Sequence, residues 1–194
     1  IDPPRSNVFP SMKPIFIFLF LSVALAVPAQ WTQRASGTTQ SLQAVQFPDS
    51  TTGFAVGYYG TVIRSVDAGL SWTVLSFPNT GDLRSVYFHD ALHGFVTGDS
   101  GLYRTGDGGG SWSTVATPVS GPWRCVTFTT PLVGFCAGGD FAAGVLLRTD
   151  DGGATWAAVD VGQVNPFSKV FFPNAEVGYA LFYGYEWSVL KTTD

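Results

Sequence analysis

From residue 42 onward the chain reads as short apolar or alternating runs, each closed by Gly, Pro, Asn or Asp. Leu42 to Phe47 alternates and ends at Pro48-Asp49, Gly53 to Gly57 is apolar, Thr61 to Ser65 alternates, and Trp72 to Phe77 follows. Runs of this length with period two predict short strands, and no stretch beyond residue 30 carries the 3.6-residue period of an amphipathic helix. The grouping then repeats. Trp31, Trp72, Trp112 and Trp156 stand 41, 40 and 44 residues apart. Sixteen residues after each comes Phe47, Phe88, Phe128 or Phe172, and six later Gly53, Gly94, Gly134 or Gly178. An aromatic follows each glycine: Phe54, Phe95, Phe135 and Tyr179. Four strands per repeat predict a four-stranded antiparallel sheet, made once per repeat.

A turn motif joins the third and fourth runs. It reads Ser65-Val66-Asp67-Ala68-Gly69-Leu70-Ser71-Trp72, then Thr105-Gly106-Asp107-Gly108-Gly109-Gly110-Ser111-Trp112, then Thr149-Asp150-Asp151-Gly152-Gly153-Ala154-Thr155-Trp156. A fourth copy starts at Lys191-Thr192-Thr193-Asp194. This is the Asp-box pattern, whose Asp side chain can accept from backbone N–H groups ahead of it while Gly supplies positive φ and Trp covers the turn. The structural set is thus Asp67, Gly69, Trp72, Asp107, Gly109, Trp112, Asp151, Gly153, Trp156 and Asp194. Sheets repeated at this spacing predict an all-β propeller; two β-sandwiches, the rival, have no reason to keep a fixed period. Blades are expected at about 42–77, 83–117 and 123–161, with an incomplete fourth at about 167–194. Trp31 to about Ser36 resembles a fourth strand without its box, as expected of a strand that closes a ring by joining another blade. With the fourth box broken off, the reading is a propeller truncated at its C-terminus, holding about four of roughly 6–8 blades.

The N-terminus reads as a targeting segment. Met12-Lys13 precedes the apolar run Ile15 to Val27, and Val27-Pro28-Ala29 supplies small residues for cleavage after Ala29. The run is short for a membrane span, so residues 12–29 are expected to be a signal peptide, with an uncleaved anchor as the alternative and residues 1–11 as translated upstream sequence. Export to a periplasm, a thylakoid lumen or the cell surface follows. The formal net charge of −4 becomes −5 once Arg5, Lys13 and Asp2 are removed, leaving 8 basic against 13 acidic residues. With no basic run to neutralise phosphates, nucleic-acid binding is not expected. Aromatics at 15% and charged residues at only 12% likewise argue against a disordered chain.

With these residues in view the chain resembles the BNR (Asp-box) repeat propellers, and among them the photosystem II assembly and stability factor family. Gly53-Phe54-Ala55-Val56-Gly57, Gly60-Thr61-Val62 and Thr149-Asp150-Asp151-Gly152-Gly153-Ala154-Thr155-Trp156 match that family's repeat. Ala68 in place of the first box glycine, and Gly184-Tyr185-Glu186-Trp187 inside the fourth repeat, depart from it. The resemblance spans about residues 31–194 and implies a non-catalytic, monomeric scaffold that binds a protein partner, such as a membrane-complex subunit, without cofactor or metal.

In a four-stranded meander the second-to-third-strand loops share a face with the connections between blades. The interval from repeat glycine to box Asp varies as 14, 13, 17 and 16 residues, and variable loops on a rigid scaffold are where recognition concentrates. The candidates there are Tyr58, Tyr59, Arg84, Trp123, Arg124, Phe141, Tyr183, Tyr185 and Trp187, of which Trp123, like Phe167, reads equally as core. Exposed aromatics with a few acids suit a protein or carbohydrate surface. Arg64, Arg104, Arg148 and Lys191 recur before the box Ser or Thr and read as structural; Arg84 and Arg124 share one strand position and stay open between an anionic partner and a local role. Pairing Val126 with Phe135 would set Cys125 opposite Cys136, so a cross-strand disulfide and two buried thiols are both readings.

Asp-box sialidases and other glycosidases are the enzyme alternative. Glycoside hydrolysis ordinarily uses two carboxylates, or a Tyr nucleophile in sialidases. Glu176 and Glu186 are the only glutamates, without an obvious partner, and the sialidase-type Arg-Ile-Pro is absent. That alternative places the catalytic groups in further blades, and a modular adhesive surface protein is the third reading. His89 and His93 lack the company of a zinc site.

Overall fold

The computed structural model describes residues 31–140, 143–162, 165–183 and 188–193. The readings on residues 1–29, Phe141, Tyr185, Trp187 and Asp194 lie outside the described residues. The chain divides into two compact units, Ile1–Thr32 and Gln33–Asp194. Of the first, Trp31 and Thr32 are described, both exposed.

The second unit is a succession of antiparallel meanders. β1 (Leu42–Gln46), β2 (Gly53–Gly57), β3 (Val62–Ser65) and β4 (Thr73–Leu75) form the first sheet in that spatial order. β5 (Leu83–Phe88), β6 (Gly94–Gly98), β7 (Gly101–Thr105) and β8 (Ser113–Thr114) form the second. The third comprises β9 (Trp123–Phe128), β10 (Gly134–Asp140), β11 (Ala143–Thr149) and β12 (Ala157–Val159), and the fourth β13 (Phe167–Phe171), β14 (Gly178–Phe182) and β15 (Ser188–Thr192). These are propeller blades. The described residues 31–41, where the sequence predicts an outer strand near 31–36, carry no strand.

Each blade packs a face on the next. Phe54, Val56 and Val62 of the first blade meet Leu83, Val86, Phe88 and Val96 of the second. Phe95, Leu102 and Val115 of the second meet Val126, Phe128 and Cys136 of the third. Phe135 and Ala137 of the third meet Phe167, Val170 and Phe182 of the fourth. A strand such as β6 therefore sends Phe95 to one neighbour and Val96 to the other. This is why GFAVG and GFVTG are buried throughout and read as apolar runs, as strands covered on both faces do.

The repeated Phe, Gly and aromatic landmarks are one packing device. Phe54 stacks on Phe88 at 3.5 Å and Phe135 on Phe172 at 4.4 Å, while Phe95 meets Phe128 at 5.1 Å. In every pair the first ring comes from a blade's second strand, and its partner from the first-strand end of the next blade. The glycine lacks a side chain because that partner ring lies against it: a Cβ at Gly94 would come closer than 3.0 Å to the Phe88 ring. An offset pair such as Phe95 with Phe128 adds about 0.5–1.5 kcal/mol beyond the area it buries.

Candidate functional site

The box turns are internally bonded before any partner is considered. In the second, Thr105 Oγ1 donates to Asp107 Oδ1 at 2.8 Å and accepts from Gly109 N at 2.9 Å. Ser111 N donates to Asp107 Oδ1 at 2.9 Å and Ser111 Oγ to Oδ2 at 2.7 Å. Asp67 is held in the same way by Ser65 and Ser71, and Asp151 by Thr149 and Thr155. The hydroxyl of Ser111, then its backbone N–H, hold the Asp107 carboxyl down at about 2, and Asp67 and Asp151 are lowered alike.

A carboxyl whose folded pKa lies below its unfolded one contributes stability that is complete above the unfolded value and is lost as pH falls through the folded value. The box aspartates drop from 3.8 to about 2. The melting temperature should therefore be insensitive to these groups from about pH 7 to about pH 5 and fall between about pH 4 and about pH 2. Melting curves on the chain and on a variant with Asn at Asp67, Asp107 and Asp151 test this. The variant should start lower and show a shallower acid slope; an unchanged slope would remove the boxes as its source.

The loops at the other end of the blades converge as the meander requires. Tyr59 N donates to Asp82 Oδ1 at 3.2 Å, and Gly60 N to Gly81 O at 2.9 Å, tying the second-to-third-strand loop of the first blade to the connection entering the second. Tyr59 is exposed and holds a left-handed φ of 55°, a conformation that a large side chain adopts only where its surroundings enforce it. Arg84 lies 5.6 Å over the Tyr58 ring and pairs with Asp82 at 3.4 Å and Asp99 at 3.2 Å. Its hydrogen bond to Asp99 raises its pKa further, so its charge is already answered within the chain.

Arg124 occupies the same strand position one blade on, in different company. Pro122 stands where the second blade has Asp82, and Gly139 where it has Asp99. Arg124 instead lies 5.6 Å from the centre of the Tyr183 ring, on the fourth blade. Among the described residues its buried Nε has no hydrogen-bond partner and it forms no ion pair. The structure thus brings Tyr58, Tyr59 and Arg84 into one cluster and Arg124 with Tyr183 into another. Asp82, just before β5, and Asp99, just after β6, are the acids of this loop face that complete the first cluster.

Trp123 is not an available contact. It is 1% exposed and lies in the core shared by the second and third blades, where Leu83 and Phe167 hold the equivalent buried positions of their own blades. The cysteine register also needs correction. Val126 pairs with Cys136, and Cys125 with Ala137, so the two thiols point to opposite faces of the third blade. Both are free and buried. Cys136 enters the core toward the second blade and Cys125 the core toward the fourth, and burial raises both pKa values. Cys125 holds the strand position of Ser85. Ser85 Oγ accepts from Val126 N across the blade boundary, and the Cys125 thiol likewise reaches across to Val170 O at 3.5 Å.

Among the box-adjacent bases, Arg64 donates to Gly108 O of the next box, and Arg148 pairs with Asp150 at 2.8 Å while lying over Phe135. His93 Nδ1 lies 2.9 Å from Asp90, and burial lowers the pKa of His89. Among the described residues no three His, Cys, Asp or Glu side chains gather as a metal site would require.

Known structures share this geometry. The chain is similar to a structure titled YCF48 bound to D1 peptide, at 21% identity and a TM-score of 0.60, over 79% of this chain and 56% of that one. It is similar to YCF48 from Cyanidioschyzon merolae at 21% identity and a TM-score of 0.64, over 79% of this chain and 50% of that one. A GH74 enzyme from Niastella koreensis also superposes, at 14% identity and a TM-score of 0.65, over 77% of this chain and 28% of that one. The chain spans about half the length of the YCF48 structures, and identities this low establish the shared propeller fold alone. No curated protein sequence matches it. The family described as Photosynthesis system II assembly factor YCF48 matches residues 23–120, half of the 194, and the chain belongs to that family.

Proposed function

We propose that this chain is a non-catalytic, exported scaffold that binds a protein partner across the loop face holding Tyr58, Tyr59, Arg84, Arg124 and Tyr183. A subunit of a membrane complex is the partner class, and a periplasm, a thylakoid lumen or the cell surface is the compartment. The observation that carries the reading is Arg124, a guanidinium without a carboxylate among the described residues, beside a half-exposed tyrosine. Arg presents a planar fork suited to a carboxylate, so the partner segment should offer an acidic side chain or a free C-terminus there. Family membership supports the protein-binding role, since one YCF48 structure holds a D1 peptide.

The test is binding of a D1 peptide to the immobilised chain. Arg124→Glu should weaken it by about tenfold to a hundredfold, the range for a charged hydrogen bond, with the melting temperature little changed. Arg84→Ala should have a smaller effect, because Arg84 is already paired with Asp82 and Asp99. Unaltered affinity in Arg124→Glu would sink the reading. The second reading, a glycan hydrolase, has the GH74 superposition in its favour; release of reducing sugar from xyloglucan by the purified chain would put it ahead.

A further inference from the structure

Arg64, Arg104 and Arg148 share one strand position, pairing across their hairpins with Phe54, Phe95 and Phe135, yet meet different neighbours. Arg64 lies 5.7 Å over the Phe54 ring and donates to Gly108 O in the box of the next blade. Arg148 lies 5.8 Å over Phe135 and donates from Nε and Nη2 to Asp150 Oδ1, at 3.0 and 2.8 Å. Arg104 is exposed, and among the described residues its guanidinium has no hydrogen bond, ion pair or ring contact. The sequence explains the difference. Gly106 stands where the third box has Asp150, so the carboxylate that answers Arg148 is missing. The neighbouring acids are committed elsewhere: Asp107 to Thr105 and Ser111, and Asp90 to His93 and the backbone N–H of Leu92. Beside Arg104, between the second and third blades, opens a cleft of about 350 Å³ lined by His89, His93, Phe95, Trp112 and Gly152. Both of these sheets have their four strands, so the opening belongs to the seam itself.

We propose that this cleft is a binding site for a carboxylate carried on a short apolar body. The carboxylate takes on Arg104 the place that Asp150 takes on Arg148, and the body lies in the cleft. The third blade is the internal precedent: a guanidinium in this strand position, beside a box turn, holds a carboxylate at hydrogen-bond distance. The planar fork of Arg suits that group. A volume of about 350 Å³ falls within the range of small-molecule pockets, which likewise join an apolar wall to a few polar groups. Phe95 and the half-buried Trp112 supply the wall. His93 turns Nδ1 to Asp90, and its Nε2 is unengaged among the described residues. The site lies at the box end of the blades and uses none of the loop residues assigned to the partner face.

Benzoate titrated into the ¹⁵N-labelled chain at constant ionic strength should shift the Arg104 Nε–H and Trp112 indole N–H resonances with one saturable midpoint. Benzamide, of the same shape without the charge, should leave both unmoved. Gly106→Asp installs in the second box the acid that the third box carries. Gly106 lies outside the left-handed region, and a Cβ there meets nothing nearer than His93 Cδ2 at 4.0 Å. The melting curve of that variant should therefore stay close to the parent's, while benzoate affinity, read at Trp112, falls by about tenfold or more. Arg104→Gln should lose affinity to the same extent. A free acid and the last residue of a peptide carry the same group, and a tetrapeptide ending in a free phenylalanine carboxylate separates them. Binding tighter than that of benzoate assigns the site to a chain terminus, and equal or weaker binding assigns it to a free acid. Equal shifts with benzamide, no saturation by either acid, or undiminished benzoate affinity in either variant would overturn the proposal.

Discussion

Trp123→Ala should lower the stability of the propeller by about 3–5 kcal/mol, the range for deleting a large aromatic ring from a core. That is a large share of the roughly 5–15 kcal/mol a domain has. The residue opens β9 and is 1% exposed, in the core between the second and third blades. Relaxation into the hole is limited on the partner strand. Trp123 opposes Gly138, where a Cβ would come closer than 3.0 Å to Pro122 O, so the backbones are already in contact. Trp123→Phe keeps most of the volume and should cost about 1–2 kcal/mol. Urea midpoints at constant m-value measure both. The same pair of experiments separates core from surface. Normalised for folded protein, Trp123→Ala should bind a partner with undiminished affinity, whereas Arg124→Glu should lose affinity and keep its melting curve. A loss below about 1 kcal/mol for Trp123→Ala would mean that the core tolerates the hole, against what burial of the whole ring requires.

How much of this was legible follows from the range over which each feature is decided. The boxes are legible because their bonds span at most four residues, from Ser65 to Gly69 or Asp67 to Ser71. The strands are legible because the repeat states each of them several times over. Fine register is not. Setting Val126 against Phe135 in place of Cys136 is an error of one residue, yet it moves Cys125 to the opposite face, since side chains alternate with a period of two. The turn from Thr129 to Val133 decides that register through local backbone bonds, which composition does not specify. The contrast between Arg84 and Arg124 is equally out of reach: it depends on Asp82 and Asp99 arriving from the segments before β5 and after β6, which the hairpin brings to one end. Trp123 reads as either surface or core because its position heads a strand, and only packing against the second blade resolves it.

Gly153→Ala should be among the most damaging single-methyl changes in the chain, at about 2–5 kcal/mol. Two effects add. Gly153 has a φ of +84°, a left-handed conformation that costs an L-residue roughly 1–2 kcal/mol. Its added Cβ would also stand closer than 3.0 Å to Cζ of Phe95. That ring cannot swing away, being fixed between Phe128 and Trp156 in the core of the second and third blades, so over-packing adds about 1–3 kcal/mol. Gly152 next to it is the control. It too has positive φ, at 72°, but a Cβ there meets nothing nearer than Pro131 O at 3.2 Å. The first box already carries alanine at that position: Ala68 holds a φ of 60° and is exposed. Gly152→Ala should therefore cost about 1 kcal/mol or less, the left-handed strain being partly offset by the lower entropy of the unfolded chain. Paired urea denaturation of the two variants decides the point. A wide gap assigns the first box glycine to turn conformation and the second to the seam between blades; equal losses would leave backbone conformation as the reason for both.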